Sequence, residues 1–401
     1  MVEIEAALAL IAQGLGPIGS ETVSLADAHG RVCAEAITAR LDAPPFAVAA
    51  MDGYAVRCAD FAPGTVMRCL AHAKAGDRHP SVLVPGTCTR IFTGAPVPAG
   101  GDAVVLQEDA RSEEAGIRFT TAPVPGRHIR LAGCNFRTGD VVVRAGRRLG
   151  ARDVGLLAAA GHQAVRVHQR PRVAILSTGD ELSDRFVTDE EPQIIDANRP
   201  ALKALVRAWG GVAIDLGIAR DCPTALGSAI HGVEADLLVV SGGASVGDFD
   251  LVRPTLEGLG LRMAFRRVHM RPGKATMFGT MNGMPVLSLP GNAVAALVSA
   301  LVFLKPILSA LEGAGYEGLA REPAILAHPM TGGGPRNTFL RGRLDRRSDG
   351  SQTFTAQPIQ DNAMISGLAE ANALVLRPAG APALEAGAPI EAIRFDLIAG
   401  F

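Results

Sequence analysis

Three acidic side chains stand in separate polar loops in the middle part of the chain: Glu181, Asp221 and Asp250. Most of these loops follow a short apolar run typical of a buried strand, so neighbouring parallel strands would bring the three carboxylates to one sheet edge. Several carboxylates beside a phosphate group suit a hard divalent cation, most simply Mg²⁺. Each acid alone is better explained as a helix cap or a solvated surface group. It is their shared position that predicts a magnesium site.

A serine- and glycine-rich loop adjoins the predicted metal site, and its candidate anion-binding residues are Ser241, Gly242, Gly243 and Ser245. Glycine tolerates positive φ and close approach, so several backbone N–H groups can face one anion. A plain connecting loop explains a Ser-Gly-Gly sequence equally well. The loop that contains Glu181 also has a glycine, since Gly179 and Asp180 come directly before Glu181. Together the two loops favour phosphate binding at this edge of the sheet.

The segment from Arg266 to Lys274 is strongly basic. Strand alternation would place Arg267, His269 and Arg271 on one face, with Lys274 following in a Pro-Gly-Lys turn. Arginine offers bidentate contacts to an oxyanion, and lysine adds a mobile point charge. An exposed, positively charged edge strand is the alternative explanation of the same pattern.

Pro290, Gly291 and Asn292 precede a long apolar stretch. If that stretch is a helix, its N-terminus can face an anion. Asn292 is equally suited to a plain N-cap, and both interpretations can hold together.

Composition excludes several classes of function. With 39 basic and 40 acidic residues, net charge −1 and 4% aromatic residues, the chain has no nucleic-acid or anionic-membrane signature. The six cysteines form no C-x-x-C pair, the nine histidines lack metal-ligand spacing, and Walker A, H-E-x-x-H and G-x-S-x-G patterns are absent. The longest apolar run, Ala293 to Leu304, is short of the ~20 residues that a span needs and predicts a buried helix. The start Met1-Val2-Glu3 carries no secretory signature, so we expect a cytoplasmic protein.

Length and the spacing of glycine and proline predict several domains. Residues 1–45 and 144–170 are predicted to form a helical base, with helices at 3–14, in a stretch ending near Asp42, and at 153–160. Short apolar runs between turn residues predict an inserted β-rich domain at 46–143 and a C-terminal β domain at 321–401.

Residues 171–320 show alternating strand and helix patterns. Predicted strands cover 173–177, 212–218, 236–240, 262–268 and 286–289. Predicted helices cover 198–209, 224–233, 251–259 and 293–311. This alternation predicts an α/β domain in three layers, with a mostly parallel sheet covered by helices on both faces.

Six ordered motifs resemble those of the molybdopterin molybdenumtransferase family, which includes the gephyrin E domain. They are Met51-Asp52-Gly53-Tyr54-Ala55-Val56-Arg57, Thr93-Gly94-Ala95-Pro96-Val97-Pro98, Ser177-Thr178-Gly179-Asp180-Glu181-Leu182, Ser241-Gly242-Gly243-Ala244-Ser245-Val246-Gly247, Arg271-Pro272-Gly273-Lys274 and Leu289-Pro290-Gly291-Asn292. The resemblance implies that the α/β domain binds molybdopterin and that the C-terminal domain resembles a β-barrel. It also implies insertion of molybdenum from molybdate into adenylylated molybdopterin with release of AMP, assisted by Mg²⁺, in a homodimer that serves client molybdoenzymes.

The resemblance also assigns roles to individual residues. It implies that Asp52 belongs with the three acids to the catalytic group, and that Thr93 faces the same cleft. Arg267 and Arg271 stand where the family usually has lysine. Pro290 and Arg341 match further substrate-binding positions.

Some positions depart from the family pattern. Ala47, Val48 and Ala49 replace polar residues, and Cys134-Asn135 replaces two acids. These departures leave two other hypotheses open. One is a degenerate, non-catalytic paralogue that binds or carries the cofactor for a client enzyme, and the weaker one is a scaffold.

Overall fold

The N-terminal part consists of short strands around two helices. The computed structural model describes residues 1–77, 82–185, 193–243, 252–315 and 318–401. Up to residue 170 its elements are α1 (Ile4–Ala12), β1 (Ser20–Ser24), β2 (Ile37–Thr38), β3 (Val48–Ala49), β4 (Gly53–Val56), β5 (Val66–Ala73), β6 (Thr87–Ile91), β7 (Ala103–Leu106), β8 (Ala110–Glu113), β9 (Gly116–Phe119), β10 (Ile129–Arg130), β11 (Val141–Val143), α2 (Ala151–Ala159) and β12 (Ala164–His168), with single 3₁₀ turns at Leu25–Asp27, Cys58–Asp60 and Gln107–Asp109.

The predicted second helix, ending near Asp42, is wrong. β1 instead pairs antiparallel with β12, and β2 pairs with β11. The β-branched residues Thr22 and Val23 favour a strand. They pair with β12, which lies about 140 residues further along the chain. The predicted helix at 153–160 is present as α2.

A six-stranded sheet in the order β7-β4-β6-β5-β9-β8 forms the β-rich region between β3 and β11. Gly53 begins β4 where that strand meets β7. A Cβ atom on Gly53 would lie 1.9 Å from the carbonyl oxygen of Val105, so this pairing requires glycine.

The α/β region follows, with the elements β13 (Arg172–Thr178), β14 (Leu182–Ser183), β15 (Ile194–Ile195), α3 (Asn198–Ala208), β16 (Val212–Ala219), α4 (Pro223–Ile230), β17 (Leu237–Ser241), α5 (Val252–Gly258), β18 (Leu261–Phe265), β19 (Met270–Arg271), β20 (Met277–Met281), β21 (Met284–Leu289), α6 (Ala293–Ser299) and α7 (Lys305–Leu311). Its sheet has the order β16-β13-β17-β21-β20-β18. The pairings from β16 to β21 are parallel, and the last two are antiparallel. β20 has no counterpart in the prediction, and the predicted strand 262–268 ends at Phe265.

α6, a π-helical turn and α7 form one helix, Ala293–Leu311, in the largest apolar core. In the described part of the chain it is the one helix long and apolar enough to cross a membrane, yet 78% of its most apolar stretch is buried inside the protein. The predicted buried helix is therefore present. α1 contributes Ile4, Ala7 and Ile11 to the same core.

The C-terminal part is a small closed barrel. Its elements are β22 (Glu322–Leu326), β23 (Asn337–Arg346), β24 (Gln352–Ala356), α8 (Ile365–Glu370), β25 (Ala373–Arg377) and β26 (Pro389–Arg394), followed by a 3₁₀ turn at Phe395–Leu397. The five strands follow the order β23-β24-β22-β26-β25, and the sheet closes into a barrel because β25 also pairs with β23. The short strand β19 pairs with the first two residues of β23. The predicted fold class is confirmed, and the domain boundaries stay predictions.

Candidate functional site

Two glycine-containing loops meet at the carboxyl end of the parallel sheet. β13 ends at Thr178 and β17 ends at Ser241. A Cβ atom on Gly242 would lie 2.2 Å from the Thr178 carbonyl oxygen, and one on Gly243 would lie 2.1 Å from Val252 Cγ2. Both positions have positive φ, 103° and 61°. Bare backbone is therefore required where these loops touch, as an anion-binding loop needs.

The predicted acids lie beside these loops. The backbone N–H of Asp221, two residues after β16, donates to Asp180 Oδ1 over 3.2 Å. Partial burial, then the charges of Glu181 and Asp180, raise the pKa of the Asp221 carboxyl above its ordinary value. A Cβ atom on Gly179 would lie 2.6 Å from Glu181 Oε2, so that carboxylate folds back over the loop. Three acids thus share one corner of the sheet.

This acidic corner fits a hard cation. The repulsion that raises the pKa of Asp221 would be relieved by a divalent ion, and carboxylate oxygens are its preferred ligands. The predicted third ligand, Asp250, lies outside the described residues, as does Ser245. Asp180, Glu181 and Asp221 are neighbours but do not form a three-ligand metal site, because no group of three His, Cys, Asp or Glu side chains that could hold a metal ion is present within the described ranges. A magnesium site at Glu181 and Asp221 therefore stays a prediction.

Asn198 is a site residue that the sequence analysis missed. It is buried, and its Nδ2 donates to Ser241 Oγ over 2.9 Å and to the Gly291 carbonyl oxygen over 2.7 Å. Asp196 supports it by accepting the backbone N–H of Asn198 over 3.1 Å. An Asp-x-Asn sequence ahead of a helix is a capping signal that could have drawn attention to it.

The Pro290–Asn292 turn leads into α6. Pro290 is buried and Asn292 is exposed. Asn292 occupies the N-cap position, but its side chain makes no capping hydrogen bond. The amide therefore remains available for a ligand, and the prediction that it binds substrate is untested.

The basic segment is partly a strand and partly a bridge to the N-terminus. Arg267 and Arg271 are exposed while Val268 and Met270 between them are buried, as the predicted alternation requires. Only Met270–Arg271 forms a strand. His269 Nδ1 lies 2.7 Å from Glu3 Oε1, an ion pair that forms when the imidazole is protonated. Lys274 is half-buried.

A cavity of about 170 Å³ is lined by residues of the basic segment, of α6 and of the barrel region. The side chains that line it include Arg271, Thr338, Arg341, Gln360 and Asn362. The structure thus brings together Arg271 and Arg341, two predicted substrate-binding residues that are 70 positions apart in the chain.

Arg341 has a structural role that the sequence did not reveal. It is 3% exposed. Its Nε donates to Gln357 Oε1 over 2.8 Å, and its Nη1 and Nη2 donate to the carbonyl oxygens of Asp361 and Ile359, each over 2.9 Å. These bonds hold the loop that carries Gln360 and Asn362, and direct substrate contact by Arg341 stays a prediction.

Asp52 and Thr93 are hydrogen-bonded to each other next to strands β4 and β6 of the six-stranded sheet in the β-rich region. Asp52 Oδ1 accepts the backbone N–H of Thr93 over 2.8 Å and its hydroxyl over 2.7 Å, and these two bonds lower the pKa of Asp52. Beside this pair lies Arg90, which the sequence analysis did not select. Its guanidinium carbon lies 5.1 Å from the ring centre of Tyr54 and 4.8 Å from that of Phe92. Within the described residues, no hydrogen bond joins Asp52 or Thr93 to the acidic corner.

The departures from the family pattern fall in two environments. Val48 and Ala49 are buried in β3, which pairs with β10, so their apolar character serves packing. Cys134 and Asn135 are exposed.

Three family models cover most of the chain. The MoeA N-terminal region (domain I and II) matches residues 2–161, the probable molybdopterin binding domain matches residues 174–310, and the MoeA C-terminal region (domain IV) matches residues 323–395.

Similar proteins span nearly the whole chain. A molybdopterin molybdenumtransferase of Nostoc sp. is 37% identical over 94% of this chain and 89% of its own length. Molybdopterin molybdenumtransferase 1 of Mycobacterium tuberculosis is 34% identical over 91% and 92%. The crystal structure of a molybdopterin biosynthesis MoeA protein from Pyrococcus horikoshii superposes with a TM-score of 0.84 at 29% identity, covering 98% of this chain and 99% of that one.

Proposed function

This chain belongs to the molybdopterin molybdenumtransferase family, and we propose that it inserts molybdenum from molybdate into adenylylated molybdopterin and releases AMP. The observation that carries the proposal is the meeting of the Gly242–Gly243 backbone with Thr178 beside Glu181 and Asp221. A close-packed glycine loop next to paired carboxylates suits a pyrophosphate accompanied by a cation.

Each group has a role in this proposal. The amides of Gly242 and Gly243 bind the pyrophosphate, and Asn198 holds both neighbouring loops in place. Glu181 and Asp221, with Asp250, would hold Mg²⁺, which neutralises phosphate charge when bound. Arg267, Arg271 and Lys274 bind the oxyanion and stabilise the negative charge that develops as AMP leaves.

Asp52 contributes an ionised carboxylate from the inserted sheet. Like any solvent-accessible aspartate it is charged throughout the neutral range, and the two hydrogen bonds from Thr93 lower its pKa further. We propose that it accepts a hydrogen bond from the adenylylated substrate and so orients it.

The decisive measurement is AMP release by the purified protein from adenylylated molybdopterin with Mg²⁺, with and without molybdate. We expect molybdate-dependent release. The variant Glu181→Gln removes one charge from the acidic corner and is expected to slow release at least ten-fold. Glu385→Gln removes an exposed carboxylate from the barrel region and serves as the matched control.

Two outcomes would contradict the proposal. Tight binding of the substrate without AMP release would favour a carrier. Release at the normal rate by Glu181→Gln would remove the acidic corner from the mechanism.

A homodimer, a cytoplasmic location and client molybdoenzyme partners belong to the same proposal and are supported by the family resemblance alone. Light scattering of the purified protein tests the first, with a mass twice the 41.5 kDa chain expected.

A further inference from the structure

Three residues form a row across the neighbouring strands β19, β23 and β25. Arg271 in β19 is the register partner of Thr338 in β23, and Thr338 is the register partner of Arg377 in β25. Register partners project from the same face of a sheet, and neighbouring strands lie ~4.8 Å apart. Thr338 therefore stands between the two arginines on one face, and its hydroxyl donates to the Arg336 carbonyl oxygen over 2.9 Å.

A cavity of about 190 Å³ lies against this row. Arg271, Thr338 and Arg377 line it together with Arg336 and residues Gly332–Gly334. Its volume far exceeds the ~10–15 Å³ that one water needs. No Asp or Glu of the described residues lines it. The cavity thus collects three positive charges and no negative one.

The buried guanidinium of Arg377 is not fully hydrogen-bonded among the described residues. The residue is 7% exposed, and its Nη2 donates to the carbonyl oxygen of Pro382. Its Nε has no hydrogen-bond partner in the part of the chain that the structure describes. A buried charged donor without an acceptor is costly, and native proteins rarely leave one unsatisfied. An anion in the cavity would supply the acceptor.

The glycine loop completes the wall. A Cβ atom on Gly333 would lie 2.5 Å from the carbonyl oxygen of Pro378, so glycine lets the loop pack against the turn after β25. Gly333 N–H donates to Ala381 over 2.7 Å. The N–H groups of Gly332 and Gly334 form no hydrogen bond with any described residue and are free to face a ligand.

We propose that this cavity binds a tetrahedral oxyanion, held by Arg336, Thr338 and Arg377 and by the amides of the glycine loop. Arginine forks match the oxygens of a phosphate-type anion, and the Thr338 hydroxyl adds a donor when it turns from the Arg336 carbonyl oxygen to the anion. It adjoins the cavity that contains Arg341 and shares Arg271 and Thr338 with it, but Arg336, Arg377 and the glycine loop line this cavity alone. The free oxyanion and the phosphate of a nucleotide carry the same chemistry, and a choice between molybdate and AMP rests on the proposed function.

The test is calorimetric titration of the full-length protein with inorganic phosphate and, separately, with molybdate. Arg336→Gln removes a charge from a half-buried position, and Arg377→Lys keeps the charge but loses the planar fork. Each is expected to weaken one class of binding site roughly ten-fold or more. Arg346→Gln removes an exposed arginine at the far end of β23, eight residues after Thr338, and should bind as the wild type does.

Unchanged affinity and stoichiometry in both Arg336→Gln and Arg377→Lys would overturn the inference. Crystals soaked in selenate provide an independent check, with anomalous density expected between Arg336 and Arg377. Displacement of phosphate by AMP from the site sensitive to Arg336→Gln would identify a phosphate ester as the ligand, whereas displacement by molybdate alone would identify a free oxyanion.

The two proposals fail separately. Phosphate binding that Arg336→Gln abolishes, in a protein that releases no AMP, would keep this site and reject the proposed function. Normal AMP release without such binding would do the reverse.

Discussion

Asn198 donates from its buried side-chain amide to Ser241 Oγ over 2.9 Å, and through the same nitrogen it reaches the Gly291 carbonyl oxygen over 2.7 Å. Ser241 ends β17 directly before the glycine loop, and Gly291 lies in the turn before α6. One amide group thus sets the distance between two loops of the predicted site.

Asn198→Ala is expected to lower the free energy of unfolding by about 1–3 kcal/mol, because it leaves the Gly291 carbonyl without its donor. Urea unfolding measures this loss. Asn292→Ala is the control: its amide is exposed and caps nothing, so its stability should stay within about 0.5 kcal/mol of the wild type. A loss in Asn198→Ala as small as the one expected of the control would contradict a stabilising role of the Asn198 bridge.

Arg341→Lys is expected to loosen the loop from Gln357 to Asp361. A lysine cannot replace three hydrogen bonds that diverge from one planar guanidinium, and we expect a stability loss of about 2–3 kcal/mol. Hydrogen exchange of the backbone amides at residues 357–361 should also become faster in this variant. Arg343→Lys, at an exposed site paired with Asp345, should change neither quantity. Unaltered exchange in Arg341→Lys would contradict the positioning role.

Asp215 gives the fold a pH-dependent contribution. Partial burial opposes ionisation, but hydrogen bonds from Lys203 and Arg199 hold the pKa of Asp215 well below its usual range. Because the folded pKa is lower than the unfolded value of ~3.9, the ionised group stabilises the fold above that pH, and its contribution is lost as pH falls through the folded pKa.

We therefore expect Asp215→Asn to cost about 1–2 kcal/mol at neutral pH, with the difference from the wild type shrinking below about pH 4. Unfolding in urea at several pH values measures it. Asp345→Asn, in a largely exposed pair, should show almost no difference at any pH. A difference for Asp215→Asn that grows on acidification would contradict the assignment.

Gly53→Ala should disrupt the inserted sheet, because the new methyl group would overlap the carbonyl oxygen of Val105. We expect a loss of at least about 2 kcal/mol or failure to fold. Gly155→Ala is the opposite case: it lies inside α2 with no atom within 4 Å of its Cβ position, so the substitution should raise stability by about 0.5–1 kcal/mol. Thermal unfolding of both variants tests the pair, and equal effects would contradict it.

Local pattern was informative where one element buries its own residues. The apolar runs at 173–177 and 236–240 predicted β13 and β17, and the polar residues directly after them lie at the sheet edge as expected. It failed at β1, because a short surface strand has no decisive period and needs β12 to define it. β20 was missed too, since Gly279 in its centre weakens the strand pattern.

The sequence by itself determined the alternation of the parallel strands with helices in the α/β region, the chemistry of its loops and, through short motifs, the family. These features depend on neighbouring residues. Only the tertiary structure decided that Asn198 joins loops 43 and 93 residues away, that Arg341 in β23 is buried against the loop 357–361, and that Arg271, Thr338 and Arg377 stand in one row. Such contacts depend on strand register and packing between distant segments, and no local spacing encodes them.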